Sequence, residues 1–119
     1  MSYDVSLFRI ETKQSARKLD DPNFFDDENN LEPFTGQQIE RLRKRLAAYH
    51  YEFQYRDDCG EHFHNPENGT FALLTGKGLY FTAGFNEDEI FEVGMTASEF
   101  TDTGEFAKYD PQNDGWEEI

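Results

Sequence analysis

Cys59, His62 and His64 form the one cluster of soft metal ligands in the chain. His62 and His64 are two residues apart in a short predicted strand, so both side chains leave the same face, as two ligands of one metal ion would. A closed zinc site has four ligands, and this chain has a single cysteine. With a carboxylate from Asp57 or Asp58 as a further ligand, the cluster would form an open metal site. The alternative function for this chain is therefore a small metal-dependent enzyme or a metal-binding protein. The incomplete spacing favours the simpler interpretation, in which both histidines are polar residues on the solvent face of the strand.

No other pattern in the sequence assembles a catalytic or cofactor site. Pairing Cys59 as nucleophile with His62 as base is disfavoured, since residues so close in sequence rarely reach the required geometry. The Gly-Lys-Gly segment at 76–78 lacks the residues of a phosphate-binding loop and predicts a hairpin turn. The segment 110–115 leaves no room before Ile119 for the glutamate that closes a calcium loop. We therefore expect no cofactor and favour a protein that is not an enzyme.

An acidic segment with two adjacent phenylalanines is the most suggestive feature of the sequence. In one interpretation one or both rings are buried and attach the segment to the core, because large exposed apolar side chains are costly. In the other, the rings supply contact energy to a partner and the acidic groups steer it. The candidate partner-binding residues are Asp20, Asp21, Phe24, Phe25, Asp26, Asp27 and Glu28.

The net charge limits the class of partner. The chain has 119 residues and a formal charge of −14 at pH 7. Residues 57–119 hold 15 acidic and two basic side chains. Such a field repels nucleic-acid backbones and anionic membranes and attracts cationic surfaces, so we expect a basic protein partner. The first residues do not show the pattern of a signal peptide. No run of residues approaches the ~18 apolar residues of a membrane helix. We therefore expect a cytoplasmic protein.

Two helices are predicted from their start signals and apolar spacing. Thr35 as N-cap with Gln38 three residues later makes a capping box, so the first helix is expected over about 36–49. Asn86 serves as N-cap of the second helix, whose apolar residues continue at helical spacing to about residue 103.

Alternating apolar residues predict the strands. The first covers about residues 3–11 and precedes a mostly irregular stretch, 12–34, in which residues 14–19 are compatible with one helical turn. The stretch is long for a loop in a small domain. Short turns separate the next four strands, which favours an antiparallel meander. The later strands are expected at 51–56, 61–64, 70–75, 79–83 and 105–109. The strand at 51–56 is expected to be half-buried, because its aromatic residues alternate with polar ones. Trp116 is expected to pack the tail of the chain onto the domain. The element order predicts one α+β domain over residues 1–119, a two-layer sandwich with an antiparallel-rich sheet of roughly five to six strands and two helices on one face.

The two ends of the chain carry the one family resemblance. Residues 1–5 (Met-Ser-Tyr-Asp-Val) and 105–112 (Glu-Phe-Ala-Lys-Tyr-Asp-Pro-Gln), followed by Gly115 and Trp116, look like the ends of small uncharacterised bacterial proteins. Some of those proteins resemble immunity proteins of bacterial toxin–immunity systems. The resemblance carries over no functional residue, but it implies a cytoplasmic protein that binds and neutralises a toxin domain. We therefore expect a non-enzymatic acidic binding protein, with an immunity-type inhibitor of a cationic toxin domain as its most specific form.

Overall fold

Seven strands and three helices make up the part of the chain that a computed structural model describes, residues 3–20, 23–84, 87–110 and 115–116. The strands are β1 (Tyr3–Arg9), β2 (Glu52–Arg56), β3 (Glu61–His64), β4 (Phe71–Leu74), β5 (Leu79–Ala83), β6 (Phe106–Asp110) and β7 (Gly115–Trp116). The helices are α1 (Ile10–Leu19), α2 (Gly36–Ala48) and α3 (Glu87–Glu99), with two short 3₁₀ turns at Phe24–Asp26 and Glu28–Asn30. All neighbouring strands are antiparallel, in the order β2-β3-β4-β5-β1-β6-β7. The α+β class and the meander β2 to β5 are thereby confirmed.

Helices α2 and α3 pack on the same face of the sheet, as predicted. Leu42 and Leu46 of α2 and Val93 of α3 are almost fully buried and join one core with Val5 and Phe81 from the central strands. Burying a side chain of this kind stabilises the fold by roughly 1.5–3 kcal/mol. The apolar stripe of each helix therefore decides which of its sides faces the sheet.

The capping box that starts α2 is confirmed. Thr35 Oγ1 accepts a hydrogen bond from the Gln38 N–H at 3.1 Å, and Gln38 Oε1 accepts one from the Thr35 N–H at 2.9 Å. At the other end His50 adopts a φ of 72°, which lets the Tyr51 N–H donate to the Leu46 carbonyl at 2.9 Å. A left-handed residue at this place ends a helix by satisfying its last carbonyl groups.

The second face of the sheet is covered over one half. Phe8 of β1 is buried there together with Phe24 and Leu31, which come from the chain between α1 and α2. Trp116 packs against the same cluster, so the predicted packing of this residue is confirmed. The acidic segment therefore lies on the β1-β6-β7 side of this face.

Helix α1 corrects the prediction for the start of the chain. β1 ends at Arg9, two residues before the predicted end, and the Ile10 N–H donates to the Glu105 carbonyl at 2.9 Å. The helix that follows occupies a stretch predicted to be mostly irregular. It buries Thr12 and Lys13 rather than a stripe of aliphatic residues, and so it lacks the apolar periodicity that predicts a helix.

In the described ranges the sheet has seven strands rather than five to six, and α3 is shorter than predicted. β7 has only two residues, too few to show an alternating pattern. α3 ends at Glu99 because the chain then forms turns, in which the Gly104 N–H donates to the Thr101 carbonyl at 3.0 Å and Gly104 takes a φ of 78°. The predicted N-cap, Asn86, lies outside the described residues.

Candidate functional site

Both phenylalanines of the acidic segment pack onto the sheet. Phe24 is 4% exposed, and its ring centroid lies 5.2 Å from that of Phe25. Phe25 is 37% exposed, and its centroid lies 5.3 Å from Phe8 and 4.7 Å from Tyr109. The two rings thus attach the segment to the sheet, and Phe25 also keeps one side toward solvent.

The acidic side chains that the structure describes in this segment are exposed to solvent. Asp20, Asp26 and Asp27 are exposed. Asp27 Oδ1 accepts a hydrogen bond from the Asn29 N–H at 2.9 Å, which holds the second 3₁₀ turn. Asp20 and Asp26 form no ion pair with any described residue. Asp21 lies outside the described residues, and for Glu28 only the backbone position is described.

The other half of the same sheet face carries side chains that no helix covers among the described residues. The strand register places these side chains in two rows across the strands. One row runs from Tyr55 through His62 to Leu73. The other runs from His64 through Phe71 to Thr82. We call this surface the open half-face, and it consists of Tyr55, His62, His64, Phe71, Leu73 and Thr82. A groove of about 490 Å³ runs over all of these residues except His64, and Gln54 also lines it.

Aromatic rings give the open half-face its chemical character. Tyr55 and Phe71 are 55% and 53% exposed, which is unusual for large rings in a sheet. The Tyr55 ring stacks on the His62 imidazole, and the His64 ring lies 4.7 Å from that of Phe71 between centroids. The surface is thus a row of ring planes with solvent on one side.

An irregularity in β2 exposes Tyr55. The sequence predicted β2 as a half-buried strand with its aromatic residues facing inward, which is wrong for Phe53 and Tyr55. A register shift lies between these two residues, so that Phe53 sits opposite Phe63 and Tyr55 sits opposite His62. β2 is also the edge strand, which leaves its ring side chains half exposed on both faces.

Carboxylates border the open half-face. Asp57 Oδ1 lies 3.0 Å from His62 Nε2 and also accepts hydrogen bonds from the backbone N–H groups of Cys59 and Gly60, at 3.0 and 3.3 Å. The hydrogen bond from His62, followed by those from the backbone, holds the pKa of Asp57 below its ordinary value. Glu52 lies opposite His64 in the register, is exposed, and forms no ion pair with any described residue.

The metal hypothesis has no ligand set among the described residues. His62 and His64 do share one face of β3, as their spacing predicted. However, His62 pairs with Asp57 and stacks on Tyr55, while His64 packs on Phe71, and Cys59 is exposed in the preceding turn. Across the described parts of the chain, no three His, Cys, Asp or Glu side chains are placed to hold a metal ion.

A buried carboxylate joins the edge of the sheet to α2. Glu61, at the start of β3, accepts hydrogen bonds from Arg43 Nε at 2.9 Å and Arg43 Nη2 at 2.6 Å, and from Arg56 Nη2 at 2.5 Å. Arg43 also bonds to Glu40. These contacts, with Arg43 the strongest, lower the pKa of Glu61 against the opposing effect of burial. The network holds β2 and β3, which carry the Tyr55 and histidine side chains of the open half-face, against the helical layer.

Comparison with known proteins adds no relative to this description. No protein-family model, curated protein or solved structure matches the chain. Within the described residues, none of the helices has the length and apolar content needed to cross a membrane.

Proposed function

We propose that this chain is a non-enzymatic binding protein whose acidic surface binds a basic protein. The observation that carries the proposal is the open half-face: exposed Tyr55 and Phe71 beside the carboxylates of Asp57 and Glu52. Exposed apolar surface rimmed by polar groups is typical of protein interaction sites. Aromatic side chains commonly supply the contact energy at the centre of such sites, with charged groups at the rim.

The charge of the chain supports a cationic partner. A formal charge of −14 on a protein of this size attracts basic surfaces and accelerates their encounter. The same charge disfavours nucleic acid and anionic membranes as partners. It also disfavours self-association through this surface, because two copies would bring like charges together.

The acidic segment takes part in the proposed interface as its steering element. It lies on the same sheet face as the open half-face, and the two halves meet at Tyr80, which contacts Phe8 on one side and aligns with Leu73 on the other. In this proposal Asp20, Asp21, Asp26, Asp27 and Glu28 attract the partner, Phe25 touches it, and Phe24 supports the segment from below.

The most specific form of the proposal is an immunity-type inhibitor in the bacterial cytoplasm. It rests on the resemblance of the chain ends and on the acidic surface, which suits a toxin domain with a cationic active site. A basic protein encoded beside this chain would be the first partner to test.

The test measures association of the chain with the basic product of an adjacent gene by stopped-flow fluorescence. Steered association should slow by about tenfold or more between roughly 20 and 300 mM salt, because screening shortens the range of the attraction. The double variant Asp26→Asn/Asp27→Asn should slow association. The matched control, Glu87→Gln/Glu92→Gln, removes the same charge from the exposed side of α3 and should have the smaller effect. A rate that does not depend on salt, or equal effects of the two double variants, would contradict the proposal.

A further inference from the structure

We propose that the groove of the open half-face binds an arginine side chain of the basic partner. This inference rests on the proposed function and specifies its chemistry: a planar guanidinium stacked on the exposed rings, with a carboxylate at each end of the surface. Three features support it: the exposed rings, the neighbouring carboxylates, and the absence of lysine and arginine among the described residues that line the groove.

The ring planes are arranged for a flat cation. The His62 imidazole stacks on one face of the Tyr55 ring, with 15° between the two planes, and so holds the half-exposed Tyr55 ring in a fixed orientation. Phe71 lies two strands away on the same surface, and more than half of its side chain is exposed. Guanidinium groups stack on aromatic faces, and the attraction weakens when the ring is displaced or lost.

The carboxylates supply the complementary charge. Asp57 lies beside the Tyr55–His62 stack and is bonded to His62. Three hydrogen bonds, from His62 and from two backbone N–H groups, reach its Oδ1 atom, and a carboxylate has further acceptor sites beyond these. Glu52 stands at the far end of β2, exposed and without an ion pair to any described residue. None of the described residues that line the groove is a lysine or an arginine, and the one histidine among them, His62, is bonded to Asp57. Arg56, the basic residue of β2, is bound to Glu61 instead.

The chain already contains the same combination of groups elsewhere. The Arg45 guanidinium lies 4.8 Å above the Phe100 ring centroid, and its two terminal nitrogens lie 2.7 and 3.2 Å from the Asp102 carboxylate oxygens. Ring and carboxylate together hold the guanidinium in one orientation. On the open half-face the ring and the carboxylates are present, and the partner supplies the cation.

Arginine suits this surface better than lysine does. A guanidinium stacks on a ring and donates in its own plane to a carboxylate, whereas an ammonium group is a compact, strongly hydrated point charge. Attraction by net charge alone would not distinguish the two. Preference for arginine is therefore the property that separates a built site from general acidic attraction.

The test is an NMR titration of the isotope-labelled chain with three blocked pentapeptides: Gly-Arg-Gly-Arg-Gly, its lysine counterpart, and its citrulline counterpart, which keeps the shape and loses the charge. Salt is kept near 20 mM, where screening is weak. We expect the arginine peptide to shift the resonances of Tyr55, His62, Phe71 and Leu73 and to bind about three- to fivefold more tightly than the lysine peptide. The citrulline peptide should bind more weakly than either.

Two variants assign the binding to the groove. Tyr55→Leu should abolish the preference for arginine over lysine, whereas Phe91→Leu, which removes a similarly exposed ring from α3, should retain it. Both residues are exposed, so both variants should stay folded. The comparison of the three peptides on the unchanged chain does not depend on either variant. Equal binding of the arginine and lysine peptides, or shifts centred on the acidic segment, would overturn the inference. Either result would leave the proposed function standing if a basic protein still binds with strong salt dependence.

Discussion

The Tyr55 ring lies almost parallel to the His62 imidazole, with 4.3 Å between the ring centroids and 15° between the planes. The same imidazole reaches Asp57 Oδ1 through its Nε2 at 3.0 Å. One histidine thus joins the exposed ring of the edge strand to a carboxylate in the next turn. These contacts order the open half-face in the free chain. Less conformational entropy would therefore be lost when this surface binds another molecule.

His62 should control the ionisation of Asp57. Its hydrogen bond is the strongest of the influences that lower the pKa of Asp57. In a His62→Phe variant, which keeps a ring against Tyr55, the pKa of Asp57 should rise toward its ordinary value. A side-chain carboxyl NMR titration measures this shift, and His64→Phe, a neighbouring ring replacement on the same face, should leave the pKa of Asp57 where it is. An unchanged pKa in His62→Phe would mean that the backbone N–H groups alone set it.

Phe24 should contribute more to stability than Phe25. Phe24 is almost fully buried, so Phe24→Ala should lower the free energy of unfolding by about 3 kcal/mol, whereas Phe25→Ala, with a third of its surface exposed, should lower it by about 1 kcal/mol. Urea unfolding monitored by tryptophan fluorescence measures both, because Trp116 lies in the same cluster. If the two variants lose equal stability, Phe24 does not anchor the acidic segment in the way its burial indicates.

Glu61 should make stability depend on pH. Arg43 and Arg56 lower its pKa in the folded state, whereas the unfolded chain has an ordinary glutamate pKa of about 4.3. The stabilisation of the fold by ionised Glu61 is therefore fully present above the pKa of the unfolded state. It is lost as the pH falls through the lower pKa of the folded state. More than a third of the Arg43 side chain is exposed, so solvent screens its interaction with Glu61. Glu61→Gln should therefore lower the free energy of unfolding by about 1–2 kcal/mol at neutral pH, less than the loss of a fully buried ion pair would.

Urea unfolding from about pH 7 to pH 3 measures that dependence. The difference between the unchanged chain and Glu61→Gln should shrink toward the acid end. Glu67→Gln alters an exposed glutamate and should change stability by less than about 0.5 kcal/mol. A difference that stays constant over the range would show that packing of the side chain, rather than its charge, is what the variant removes.

His50 should be replaceable by glycine with a gain in stability. Its φ of 72° is in the left-handed region, which a side chain disfavours and glycine does not. His50→Gly should raise the free energy of unfolding by about 0.5–1 kcal/mol, and His50→Ala, which keeps a Cβ, should give no gain. Thermal unfolding separates the two variants. If glycine also gives no gain, the contact of His50 Nε2 with Glu67 Oε2 at 3.7 Å, absent from both variants, offsets the relieved strain.

The features that the sequence predicted correctly are local ones. The capping box of Thr35 and Gln38, the apolar stripes of α2 and α3, and the meander from β2 to β5 each depend on residues a few positions apart. The shared face of His62 and His64 follows from strand geometry alone. The full length of α1 was missed because the helix buries Thr12 and Lys13 in place of an aliphatic stripe.

The sequence of β4 contains a signal for the open half-face. In β4, Phe71 and Leu73 alternate with Ala72 and Leu74, so both faces of the strand carry apolar side chains. Such a strand needs cover on two sides, or else exposes one of them. Only Ala72 and Leu74 are buried against the helices, and Phe71 remains exposed.

The sequence by itself determined the class of the fold, its strong negative charge, and the start of α2, because these depend on composition and on contacts between near neighbours. The tertiary structure decided which half of the second sheet face is covered and which side chains are exposed there. That outcome depends on β1 pairing between β5 and β6, on the register shift beside Tyr55, and on Phe24 reaching Phe8. These contacts join residues far apart in the chain, and their energies are settled only when the whole sheet has formed.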